Sequence, residues 1–181
     1  ASQLEVRHNK HKITVEKFGG NFVINGVWFY GLAGAGKTYA SALLKDLKRD
    51  AFVIDGDVVR QFVSSDLGYT QIDRKVQIRR ILGIMQIVTT NKMFPIASSV
   101  SMNNWTLKEA RDLGMLVIRV ERQFDQILDV RDIYKQQDNV VGKDIQLENL
   151  DTDVILNTGD ETFNKSIYDF LNTKIVLQYA N

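Results

Sequence analysis

The chain contains no cysteine. Disulfides and thiolate metal sites are therefore excluded, and a disulfide-stapled secreted scaffold with them. It contains a single proline, Pro95, and no Pro/Gly/Ser-rich stretch that would serve as a linker. The residues therefore read as one continuous unit rather than a string of modules. No apolar run approaches the roughly 20 residues needed to cross a bilayer, and the first residues are polar with no apolar signal segment. These absences predict a cytoplasmic chain with no membrane partner. Charge of one sign is also lacking: 23 Lys+Arg against 22 Asp+Glu leave a formal net charge of +1. Without a basic field, nucleic acid is not an expected partner, and any anionic ligand must be held by local cations. His8 and His11, the only two histidines, have no evident third ligand, which argues against a histidine metal site.

What is present suits a compact α/β chain: 181 residues, 44% hydrophobic, enough to bury a sizeable core. Residues 1–10 are polar and expected to fray. His11 to Asn25 reads as a hairpin turning at Gly19-Gly20-Asn21. From there strands and helices alternate. Apolar strands are expected at 27–30, 52–54, 95–100, 116–120 and 154–156. Helices are expected at about 37–48, 72–91, 107–113, 124–130 and 161–171, with Val76, Leu82, Met85 and Val88 at helical spacing in the longest. A charged segment fills 131–150. Such alternation predicts a parallel sheet with helices on both faces, whose ligands gather at the carboxyl ends of the strands.

The strongest chemical signal lies at the end of the first of these strands. Gly31-Leu32-Ala33-Gly34-Ala35-Gly36-Lys37-Thr38 fits G-x-x-x-x-G-K-S/T, placed after an apolar strand and before a helix, as a phosphate-binding loop requires. Glycines let successive backbone N–H groups turn inward, and the helix start adds its partial positive charge. In this reading Gly31, Gly34, Ala35, Gly36 and Lys37 hold ATP phosphates and Thr38 ligates Mg2+. Asp55-Gly56-Asp57 follows the second strand. Two carboxylates there can orient a metal-bound water or accept a hydroxyl proton. The plainer alternative is a turn and a helix capped by Asp57. Arg60, Arg74, Gln77 and Arg80 could form an anion-binding face, against the alternative of a solvated helix surface. Tyr69 could stack on a base or be an ordinary loop aromatic, and Val100 and Ser101 end the third long strand. Trp28 and Trp105 read as packing residues.

In order and spacing, GLAGAGKT, VIDGDVVRQFVSSDLGYTQIDRKVQIRRI, IASSVS, VRDIYK and DVILNT resemble the adenylylsulfate (APS) kinases over about residues 28–171. The resemblance implies an α/β, three-layer P-loop kinase fold with a five-stranded parallel sheet, here with a small N-terminal β-hairpin: residues 1–25 as the extension, 26–181 as the kinase domain. It implies transfer of the ATP γ-phosphate to the ribose 3′-hydroxyl of APS. It places Asp57 at that hydroxyl with Asp55 beside it, and Arg60 and Arg74 on the phosphosulfate. Tyr69 falls where a phenylalanine stacks on the acceptor adenine, Gln77 where an asparagine contacts the acceptor, and Val100 and Ser101 border it. Arg131 falls near the ATP adenine and Lys135 on the lid over the phosphates. Members are often dimers, so a homodimer is implied. The chain departs from the family at Ala33 and Ala35, where serines are common, at Tyr39, in place of a small hydroxyl residue, and at Met102, in place of a proline. The lid is shortened before Tyr134, and the F-T-G-I segment has its nearest match at Val140-Val141-Gly142. The phosphate side is kept while the base-recognition side is altered. Two other readings stay open: a 3′-kinase of another nucleotide such as cytidine diphosphoramidate, and a nucleotide-binding regulatory protein without turnover.

Overall fold

The computed structural model describes residues 2–8, 11–18, 21–123, 141–142 and 144–174, those before residue 24 and after residue 171 by backbone alone. Three short strands open the chain: β1 (Ser2–His8), β2 (His11–Phe18) and β3 (Asn21–Val23), paired in an antiparallel sheet. Strands β2 and β3 pair antiparallel within the range expected to be a hairpin, whose turn at 19–20 lies outside the described residues. Residues 2–8, however, are a strand rather than a frayed end. Leu4 and Val6 alternate with polar residues, and the register sets them opposite Val15 and Ile13. A strand needs only such period-two alternation and apolar cross-strand pairs, which a polar overall composition hides.

The main sheet has five parallel strands in the order β5-β6-β4-β7-β8. They are β4 (Gly26–Tyr30), β5 (Ala51–Asp55), β6 (Phe94–Ser99), β7 (Met115–Arg122) and β8 (Asp153–Asn157). Strands β4 and β6 are buried at every residue. That is why they read as unbroken apolar runs rather than alternating ones. Helices α1 (Lys37–Leu47) and α5 (Glu161–Lys174) cover one face. On the other lie α2 (Gly56–Phe62), α3 (Gln71–Thr90) and α4 (Asn104–Asp112). The two cores are separated by the sheet, which makes the expected three layers. One centres on Val27, Phe29, Leu44, Ile118 and Ile167. The other centres on Trp28, Tyr30, Ile81, Leu82 and Met85.

The central strand β4 has neighbours reached in opposite directions. After β4 the chain passes to β5, two positions away, and later to β7 on the other side. The reversal beside β4 opens a crevice at the strands' carboxyl ends, and the glycine-rich loop lies there. Helix α2 was expected only as the alternative reading of the Asp55–Asp57 turn. It occupies the connection after Asp55 and is only 7 residues long, too short for a periodic signal. The helix expected at 124–130 lies outside the described residues.

Candidate active site

Gly31 leaves β4 with its N–H donated to the Ser99 carbonyl of β6 at 3.2 Å, and a turn closes from Ala35 N to Leu32 O at 3.1 Å. Gly36 sits at φ 110, and a Cβ there would lie 2.9 Å from Phe163 Cζ and 2.8 Å from Asn157 Nδ2. Conformation and space both demand glycine. Helix α1 starts with no side-chain cap, and its first described bond runs from Ala40 N to Gly36 O. The amides of Lys37, Thr38 and Tyr39 therefore precede the intrahelical ladder, where an anion can accept them. Lys37 Nζ donates to the carbonyls of Gly31 (2.6 Å) and Leu32 (2.9 Å), which holds the ammonium against the beginning of the loop.

Two side chains whose roles sequence reasoning missed brace this loop. Arg122, at the end of β7, donates through Nη1 to Gly34 O at 3.0 Å. Asn157, the last residue of β8, donates through Nδ2 to Ala35 O at 2.9 Å and accepts from Gly159 N at 2.9 Å. The only sequence signal for Asn157 was its place in DVILNT; strand ends carry no period that marks Arg122. Trp28 is buried packing as expected, its indole donating to Ser99 Oγ at 2.9 Å.

Asp55 closes β5 in register with Ser98, which is itself in register with Phe29 of β4. The carboxylate-bearing turn therefore lies at the same sheet level as the loop's approach strand, two strand spacings or about 9.5 Å away. Asp55, not Asp57, is the N-cap of α2. Its Oδ1 accepts from Asp57 N at 2.8 Å, because a cap must precede the first helical residue and Gly56 is already helical. Asp57 is left exposed in the first turn. Gly56 passes so close to β6 that a Cβ would lie 2.7 Å from the Ser98 carbonyl oxygen.

The predicted cations and Tyr69 converge. Arg60 Cζ lies 4.3 Å from the Tyr69 ring centroid and Arg74 Cζ 5.4 Å from it. Arg60 Nη1 donates to Gly68 O at 2.6 Å, and Arg74 Nε to Tyr69 O at 3.1 Å. Burial, and then the nearby charge of Arg60, hold the Arg74 pKa below the usual guanidinium range. Two like charges gathered this way favour a bound anion. Gln77 is buried in α3 and donates through Nε2 to Gly56 O at 3.0 Å, while its Oε1 has no hydrogen-bond partner. It thus ties α3 to the Asp55–Asp57 turn. Arg80 does not join the cationic face. Asp66 takes it in two bonds of 2.6 and 2.9 Å, because it lies on a different side of α3, under the α2–α3 loop.

A cleft of about 180 Å³ opens beside Arg74, lined also by Lys75, Ile78, Ser101, Met102, Val141 and residues 145–148. Val100 and Ser101 follow β6, which ends one residue earlier than expected at Ser99, and Val100 is half-buried there. A Cβ on Gly142, next to the lining residue Val141, would meet Leu32 Cδ2 at 3.0 Å, so this part of the chain packs against the phosphate loop. Arg131 and Lys135 lie outside the described residues. Among the described residues no cluster of His, Cys, Asp or Glu is suited to hold a metal by itself. A magnesium ion bound through nucleotide phosphates and water would need only one or two protein oxygens, and the Thr38 hydroxyl is a candidate for one.

A glycine loop between a central parallel strand and α1, with carboxylates at the next strand end, defines a P-loop α/β fold of the kinase type. The family model for adenylylsulphate kinase matches residues 24–153, and the chain belongs to that family. An adenylyl-sulfate kinase of Synechococcus sp. (strain JA-3-3Ab) is 38% identical over 89 residues, 47% of this chain and 51% of that one. One of Halothermothrix orenii is 37% identical over 91 residues, 48% and 49%. The match thus spans about half the length of these curated relatives. The structure of the Mycobacterium tuberculosis APS kinase in complex with AMPPNP and APS superimposes with a TM-score of 0.65 at 19% identity, covering 83% of this chain and 98% of that one. A hexameric APS kinase from Thiobacillus denitrificans gives 0.57 at 22% identity, covering 81% and 27%. At these identities the structural likeness concerns the fold. Among the described residues no helix is long and apolar enough to cross a membrane.

Proposed function

We propose that the chain transfers the γ-phosphate of ATP to the ribose 3′-hydroxyl of adenylyl sulfate, yielding PAPS and ADP. The observation that carries this reading is a juxtaposition. A glycine loop with a tethered Lys37 lies near a cleft lined by Arg74, and Gly142, next to the lining residue Val141, packs against Leu32 of the loop. The relatives are adenylyl-sulfate kinases, which favours APS over a cytidine-based acceptor.

In the reaction the 3′-oxygen forms a bond to the γ-phosphorus, the bond to the β–γ bridging oxygen breaks, and ADP leaves. Asp57, exposed at the start of α2, takes the hydroxyl proton, and Asp55 holds that turn through the Asp57 amide. The loop amides and Lys37 offset charge on the transferring phosphoryl group. Mg2+, when bound with ATP, supplies further charge neutralisation, and Thr38 offers the protein oxygen for it. Arg60 and Arg74 hold the acceptor's phosphosulfate, with Tyr69 at the same place. Gln77, Val100 and Ser101 shape the acceptor side, and Arg131 and Lys135 serve the ATP adenine and the phosphates. Residues 26–181 form the kinase unit and residues 1–25 an accessory extension. The chain also forms a homodimer in this reading: among the described residues β5 is an outer strand, and Phe52 on it and Val58 and Phe62 of α2 are exposed. Sedimentation of the purified chain checks that point.

Steady-state transfer with APS, measured with each single variant, tests the reaction. Asp57→Asn is expected to lower kcat with little change in either KM, whereas an unchanged kcat would remove Asp57 from the chemistry.

A further inference from the structure

We propose that Tyr39, paired with Phe163, forms the wall against which the sugar and base of the donor nucleotide rest. The inference rests on the donor half of the proposed function and goes beyond it by assigning a nucleoside subsite. The polarity of the phosphate cradle is set by two features. Lys37 Nζ is held against the first loop carbonyls, Gly31 and Leu32, so the terminal phosphate belongs at that end. From Lys37 the backbone runs on into α1, and Tyr39 stands one residue before the first described helical bond, Ala40 N to Gly36 O. A nucleotide whose terminal phosphate faces Lys37 therefore emerges from the cradle beside Tyr39, and what emerges is its sugar and base.

Tyr39 is built for such contact. The residue is 48% exposed, yet its ring is not loose. It stacks on Phe163 with centroids 5.6 Å apart and planes inclined by 29°. Phe163 is itself 5% exposed and packed against Gly36. The start of α5 fixes it: Asp160 accepts from Thr162 N at 2.9 Å through its side chain and from Phe163 N at 3.1 Å through its carbonyl. The same turn is joined to the loop by the Asn157–Ala35 bond. One ring face is thus committed to protein, and the exposed remainder of the ring stands at the cradle's exit. Aromatic rings hold bases by stacking at little entropic cost when they are already fixed.

Equilibrium binding of ADP and of pyrophosphate to the full chain, with magnesium present, separates the two halves of the donor, because ADP differs from pyrophosphate by adenosine. Replacing Tyr39→Ala is expected to weaken ADP by roughly tenfold and to leave pyrophosphate within about twofold. Tyr39→Phe, which keeps the ring, is expected to preserve both. Tyr39→Thr is the second truncation should the alanine variant fold poorly. Unchanged ADP binding, or equal weakening of both ligands, would overturn the assignment. Acceptor phosphorylation plays no part in the readout. A chain that binds ADP through Tyr39 but fails to phosphorylate APS refutes the proposed acceptor alone, and active enzyme indifferent to Tyr39 refutes this subsite alone.

Discussion

The Asn157 side-chain amide donates to the Ala35 carbonyl at 2.9 Å, joining the last strand of the sheet to the middle of the phosphate loop. Its carbonyl oxygen meanwhile accepts from Gly159 N. One buried side chain therefore fixes two turns at once. Asn157→Ala strands the Ala35 carbonyl and the Gly159 amide, and each such orphaned group costs about 1–3 kcal/mol. The expected result is a chain less stable to urea, with the KM for ATP raised more than the KM for the acceptor. Equal effects on both constants would mean that Asn157 supports the fold without serving the loop in particular.

Arg74 and Arg80 lie six residues apart on α3 but are placed differently. Arg74 borders the cleft and shares Tyr69 with Arg60, whereas Arg80 is occupied by Asp66. Arg74→Ala is expected to raise the acceptor KM by about tenfold or more, the scale of a lost charge-assisted hydrogen bond. Arg80→Ala is expected to leave it within about twofold, as for a surface ion pair. Initial rates at saturating ATP distinguish the two.

Gly56 passes 2.7 Å, measured from an ideal Cβ, from the Ser98 carbonyl. Gly56→Ala must push α2 away from β6, at a cost of about 1–3 kcal/mol, and Asp57 moves with it. Lower thermal stability together with reduced kcat is the expected outcome. A variant with wild-type kcat would show that the Asp55–Asp57 turn tolerates displacement.

Asp153 is buried at the start of β8, and burial raises its carboxyl pKa from 3.8 to about 6, partly offset by the charge of Arg111. The folded chain thus binds a proton more readily than the unfolded one. Its contribution to stability is full below the unfolded value of 3.8 and is lost as pH rises through about 6. Asp153→Asn should flatten the dependence of unfolding free energy on pH across that window, by an amount of order 2 kcal/mol. Denaturation curves at several pH values check this, and an unaltered slope would assign the dependence to other groups.

Much of this architecture was legible in the residues because buried parallel strands announce themselves. Val27-Trp28-Phe29-Tyr30 and Leu116-Val117-Ile118 are continuous apolar runs since both sheet faces are covered. The glycine loop was legible because its backbone demands leave few alternatives at Gly36. Helix α2, about two turns long and mixed in character, was legible only as an alternative reading, with Asp57 rather than Asp55 as its cap. Arg80 was placed on the anion face by helical spacing, which cannot see that Asp66 returns across the α2–α3 loop to claim it. The braces Arg122 and Asn157 depend on contacts 88 and 122 residues apart in sequence, distances at which local pattern carries no information.

The most direct test uses ATP labelled in its γ-phosphate, APS as acceptor, and the purified full chain beside its Lys37→Ala variant. Label is expected to appear in PAPS with the unaltered chain, with the rate falling by about a hundredfold or more in the variant, as when a group stabilising transition-state charge is removed. A folded, ATP-binding chain that transfers no label to APS, or a Lys37→Ala variant that transfers it equally well, would contradict the account.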